Sequence, residues 1–189
     1  MVTTSKASYS FAAVFGAVAA LYEAETDAQR ATLKARINRI QKLQVIGVSP
    51  GKGRALQYEF DHIWRWVFCL ELAEFGVGPA TASALIDTYW ASHLASIFRT
   101  AQRAVEIGGD AVFLYIRGAG LMSAAWRPKN HRFDSVPHVG KFTAKDANLV
   151  LDWLKDDQER VAPRICVVNL SARLRLLLAE LKKYQQFAK

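Results

Sequence analysis

The chain has 189 residues, 51% of them hydrophobic and 22% charged, which excludes a disordered segment and leaves room for one sizeable core or two small ones. Its net charge of +8 points towards a polyanionic partner, although basic enzymes share that feature. No apolar run reaches the ~18 residues that span a bilayer, and Cys69 and Cys166, each inside an apolar run with no other ligand nearby, read as small buried hydrophobes of a reducing compartment.

In chain order, residues 1–7 read as a loose tail. Ser8 or Ser10 is placed to cap a helix to about Ala24, with Val14, Ala17, Val18 and Leu21 on its inner face. Only Lys6 precedes this apolar stretch, so it is an ordinary helix before it is a signal peptide. After the polar break Glu25-Thr26-Asp27, Thr26 caps a second helix to about Leu43. Leu33, Ile37 and Ile40 give it a half-buried stripe, and Ala35, Asn38, Arg39 and Lys42 point the other way with Arg36 on the flank.

Val45 to Val48 is β-like, residues 49–53 form a turn, and Arg54 to Phe60 alternates, which together signal a hairpin. Asp61 then caps a third helix, His62 to Phe75, stopped by Gly76. A fourth helix starts after Gly78-Pro79, runs through Leu85, Ile86 and Trp90, and continues or kinks into a segment ending at Ile107. Gly108-Gly109-Asp110 is the expected domain boundary. Beyond it come strands over 111–116 and 121–126, a polar loop over 127–141, and a helix from Thr143 to about Asp156 with Thr143 and Asp146 as its capping pair. A strand over 164–169 and a helix from Ser171 to about Phe187 complete the chain.

The charge is unevenly placed. From Arg30 to Arg54 there are seven basic residues and no acid, whereas residues 61–100 hold four acids and two bases. Five of the seven, including Lys34, Arg36, Arg39 and Lys42, fall on the second helix, and Lys52 and Arg54 frame the turn that follows. A helix with a cationic outer face can enter the major groove of a duplex while a cationic hairpin tip touches phosphate. Asn38 suits the edges of adenine and Arg39 those of guanine. Solvated helix faces normally mix signs, and this one does not.

The stretch from Lys34 to Trp90 resembles the winged helix-turn-helix domain of the MerR family of transcription regulators. The matching text is RINRIQKLQVIG followed by GKGRALQYEFDHIWRWVFCLELAEFGVGPATASALI. The resemblance implies that the second helix reads DNA, and it matches Tyr58 to the family's wing aromatic, Asp61 to its acidic helix cap, and Glu74-Phe75-Gly76 to the end of its next helix. Ile40-Gln41 stands where the family has an aromatic pair. The C-terminal half resembles no effector domain, so neither metal nor drug sensing is implied.

Other features read more simply. Trp64 and Phe68 share a helix face and are expected in the core rather than on a nucleic-acid stacking platform. The four histidines make no metal-ligand spacing with either cysteine, and no catalytic motif is present, so neither metal, cofactor nor enzymatic activity is expected. Arg127, Lys129, Arg132 and Lys141 make a second basic cluster, read as an exposed loop. On the last helix, Leu170, Leu174, Leu177, Leu181 and Tyr184 are spaced as an a/d seam, and Leu174, Leu177, Leu181 and Tyr184 are expected at a dimer interface.

The reading is an α+β, mainly helical protein: a winged helix-turn-helix domain over 1–90, a connecting helix over 91–107, and a small α/β dimerisation or regulatory domain over 108–189. Its expected function is that of a cytoplasmic, nucleoid-associated bacterial or phage regulator. As a homodimer it would bind an inverted repeat in double-stranded DNA through Lys34, Arg36, Asn38, Arg39, Lys42, Lys52 and Arg54. The rival reading is a protein-interaction adaptor or anti-repressor on the same scaffold.

Overall fold

Two side-chain caps set the first helices. The structure, a computed structural model, describes residues 8–45, 56–117, 139–146 and 165–185. It is α+β and mainly helical. After β1 (Ser8–Tyr9), the Ser10 hydroxyl accepts the Ala13 N–H at 3.3 Å and starts α1 (Phe11–Leu21), whose Val14, Ala17, Val18 and Leu21 are all buried. The chain leaves α1 through a left-handed residue, Glu23 (φ 51°), with the Ala24 N–H returning 2.8 Å to the Ala19 carbonyl. Thr26 and Gln29 then form a reciprocal capping box for α2 (Asp27–Lys42). Asp27 in the first turn and Arg39 and Lys42 in the last complement the helix dipole.

The short strand after α2 pairs with the start of the described chain. β2 (Tyr58–Glu59) lies antiparallel to β1, with Ser8 opposite Glu59 and Tyr9 opposite Tyr58. Ser8 therefore belongs to a strand. The rest of the expected hairpin, from its first strand beyond Val45 through the turn with Lys52 to Arg54, lies outside the described residues. α3 (Phe60–Glu74) begins before Asp61, so Asp61 is not its cap. The His62 imidazole takes the Glu59 N–H at 3.2 Å, and Asp61 instead pairs with Arg65 one turn on, at 2.8 Å. α3 is apolar nearly all round and accordingly buried, with Trp64, Trp66 and Phe68 all in the core although they share no single face. Gly76 (φ 76°) ends it, as the Gly break predicts.

By its packing the chain divides into two units, Met1–Glu71 with Leu176–Lys189, and Leu72–Arg175. The second unit opens with α4 (Pro79–Tyr89), its proline in the first turn. A π-helical turn, Trp90–Leu94, carries α4 into α5 (Ala95–Ile107), which is the continuation expected for this region; Trp90 and Phe98 meet across the junction with ring centres 5.6 Å apart. Gly108 (φ 68°) ends α5. The helix expected to connect two domains packs on β3 (Val112–Arg117) within this unit.

β3 is the centre of an antiparallel sheet of order β4-β3-β5, between β4 (Val139–Thr143) and β5 (Ile165–Asn169). Val112, Leu114 and Ile116 are buried on one face; on the other, Phe113 stacks on its direct partner Phe142 with ring centres 5.1 Å apart. Residues 139–141, expected in a loop, are strand: Val139 is fully buried and the segment pairs with β3 along its inner edge. The expected strand over 121–126 lies outside the described residues. Thr143 donates its N–H and hydroxyl to the Asp146 carboxylate at 3.1 and 2.8 Å, the predicted capping pair, and a 3-10 turn follows over Ala144–Asp146. The helix expected beyond it lies outside the described residues.

The last helix, α6 (Leu170–Gln185), is capped by Asn169, whose side-chain oxygen accepts the Ala172 N–H at 3.0 Å. Its leucine stripe corrects an expectation. Leu174, Leu177 and Leu181 are each 0% exposed within the single chain, so they form internal core and are closed to a second subunit. Tyr184 is 38% exposed, with its ring lying on Gly16 of α1, where even a Cβ would collide with it. No helix of the described residues is long and apolar enough to cross a membrane.

Candidate nucleic-acid interface

The cationic surface of the first unit is built on α2. Leu33, Ile37 and Ile40 are buried and fix which side of the helix faces the core. Lys34, Arg36, Asn38, Arg39 and Lys42 are all exposed, as the 3.6-residue period predicts. Five bases and a single acid, Asp27 in the first turn, lie on this helix. Its outward arc therefore presents guanidinium, ammonium and amide groups on a rigid element, with the amide of Asn38 near the middle of the arc.

Three polar contacts lie around α2, one of them made by the helix itself. The Tyr22 hydroxyl, at the α1–α2 junction, donates 2.8 Å to the Glu71 carboxylate of α3, which keeps that buried acid partnered. At the other end the Gln41 amide donates 2.9 Å to the Tyr58 hydroxyl. Arg65 of α3 donates 3.2 Å to the Val45 carbonyl, just past the helix. Tyr58 is buried, with its ring 4.9 Å from that of Trp66, and burial raises its pKa against the smaller lowering pull of Gln41, so the hydroxyl stays protonated.

These contacts also fix where the segment carrying Lys52 and Arg54 leaves and returns. Those two residues lie outside the described ones. Val45, which precedes the segment, and Tyr58, which follows it, are both anchored beside the last turn of α2.

Gln41, Arg65, Tyr22 and Glu71 escaped sequence reasoning as positioning residues. Gln41 sits beside the apolar stripe, one turn after Ile37, and a boundary amide needs a partner. Nothing in the sequence identifies that partner as Tyr58. Arg65 and Glu71 carry a signal in their type alone, since a charged residue on an otherwise apolar helix must be paired.

The aromatic residues of α3 take no part in a stacking surface. Trp64, Trp66 and Phe68 are buried, and Phe11 and Tyr58 close over Trp66. Cys69 is buried beside them, and burial pushes its thiol up to about 12, so it carries no thiolate at neutral pH. Among the described residues no group of histidine, cysteine and carboxylate side chains is arranged to hold a metal ion. No family model, curated protein or solved structure matches the chain.

Proposed function

We propose that the protein is a sequence-specific double-stranded DNA-binding transcription regulator, with α2 as the helix that enters the major groove. The observation that carries this reading is the outward face of α2, where Lys34, Arg36, Asn38, Arg39 and Lys42 are exposed on a helix whose Leu33, Ile37 and Ile40 are buried and whose last turn is held through Gln41. An α-helix fits the major groove, and a fixed helix presents its side chains in one register to the base edges. In this reading α1, α2 and the segment after them form a winged helix-turn-helix of the MerR type. Asn38 and Arg39 touch bases, and Lys34, Arg36, Lys42, Lys52 and Arg54 touch phosphate. The protein binds as a homodimer, through a surface other than the α6 leucines.

The test is a footprint on DNA upstream of the protein's own gene, followed by titration of Arg39→Ala. The variant is expected to lose about 1–3 kcal/mol on the footprinted site and to relax one base position. Equal weakening on all sequences would reassign Arg39 to phosphate. A wild-type chain that binds no duplex would leave the adaptor reading in its place.

A further inference from the structure

We propose that the second unit carries a separate site for a polyanion, formed by Arg99 and Arg103 of α5 with Lys141 of β4, and that its ligand is the sugar–phosphate backbone of DNA. Arg99 and Arg103 are exposed and one turn apart, so about 6 Å of helix axis separates them at 1.5 Å per residue. Lys141 reaches the same side of the unit from the edge strand. Its ammonium donates 3.0 Å to the Thr100 hydroxyl, which in turn donates 2.9 Å to the Ser96 carbonyl.

The chemistry of these partners is informative. Lys141 rests on a neutral oxygen, and an ammonium has three N–H groups to offer. Lys145, four residues later, shows the alternative: it is paired with the Asp110 carboxylate at 2.8 Å. Glu106, the acid nearest in sequence to Arg103, takes the Gln102 amide at 2.7 Å. Among the described residues Arg99 anchors its Nε on the Ala95 carbonyl at 3.2 Å, and its terminal N–H groups lie beyond that contact.

Two arginines one turn apart repel each other on a helix, and a bound anion relieves that repulsion. A lysine on an edge strand also deters strand pairing. That role needs one charge and does not call for two arginines beside it. Cations set out along a helix suit a row of phosphates, whereas a single phosphate calls for donors that converge on one point. Assigning the row to DNA rests on the function proposed above.

The experiment uses the full chain carrying R99Q, R103Q and K141Q together, with circular dichroism to establish folding. Binding to a duplex of unrelated sequence is measured across a salt series. The log–log slope is expected to flatten by about 0.9 for each phosphate that the variant no longer neutralises, and a charge-retaining variant, R99K with R103K, is expected to keep the wild-type slope. A folded triple variant with the wild-type slope would overturn the site. Saturable binding of inorganic phosphate at Lys141, with the duplex slope unchanged, would overturn the nucleic-acid assignment. If the wild type binds no duplex, the reading of α2 fails by itself. Retention on heparin then decides the patch: earlier elution of the triple variant supports it, and unchanged elution sinks it.

Discussion

His62 makes the start of α3 sensitive to acid. Its neutral ring accepts the Glu59 N–H, a bond that protonation at Nδ1 would abolish. Burial lowers its pKa below the ordinary 6.5; Asp61 and Glu59 pull less strongly the other way, and Arg65 adds a small lowering push. The unfolded chain therefore binds this proton more readily than the folded one. The contribution to stability is complete above 6.5 and is lost as the pH falls from there through the lowered folded value. Denaturant unfolding of the wild type and His62→Gln across pH 5 to 8 checks this, because glutamine can still accept the N–H but does not titrate. The wild type is expected to lose stability relative to the variant only on the acid side. Parallel curves would show that His62 does not titrate differently on folding.

At the scale of elements, the clasp between Gln41 and Tyr58 sets the roll of α2. Gln41→Leu leaves the buried Tyr58 hydroxyl without its donor and is expected to cost about 1–3 kcal/mol in stability. Under the proposed function it also lowers discrimination between specific and unrelated duplex more than it lowers binding to unrelated duplex. A variant that is destabilised but keeps wild-type discrimination would limit Gln41 to stability. A close approach also joins α1 and α6: Gly16→Ala is expected to displace the half-exposed Tyr184 ring at a cost below about 1 kcal/mol, less than overpacking a closed core, and Tyr184→Ala in the same chain to remove the clash, as read by thermal unfolding. Caps and apolar stripes made α1, α2, α4, α5 and the capping pair before the 3-10 turn legible in the sequence, because Ser10, Thr26, Pro79, Gly108 and Asp146 act within a few residues of themselves. The β1–β2 pair was not legible. It is two residues long on each side, its strands are far apart in the chain, and Ser8 looks like any polar residue before a helix. In the candidate site, the outward residues of α2 followed from its period, while their supports through Tyr22, Gln41 and Arg65 depend on partners that only the tertiary fold brings near.

For the whole molecule, the leucines of α6 show the limit of pattern. Spacing shows that Leu174, Leu177 and Leu181 share a face but not what covers it, and a dimer seam and an internal core have the same period. All three are buried in the chain's own core, so Leu177→Glu with Leu181→Glu is expected to unfold the first unit rather than release a folded monomer. Circular dichroism and sedimentation of the double variant check this; a folded species of half the wild-type mass would restore the seam.

The first unit is discontinuous, since residues 176–185 complete a core begun by the first 71. During synthesis the ribosome must therefore make all of Leu72–Arg175 before Leu177 and Leu181 can dock. At ~5–20 residues per second that is a wait on the order of ten seconds. Through that interval the apolar side of α1 lacks the cover that Tyr184 supplies at Gly16, and α2 has its cationic face before its scaffold is finished. A chain ended before Leu176 would lack Leu177 and Leu181, and with them the part of the first unit's core that α6 supplies.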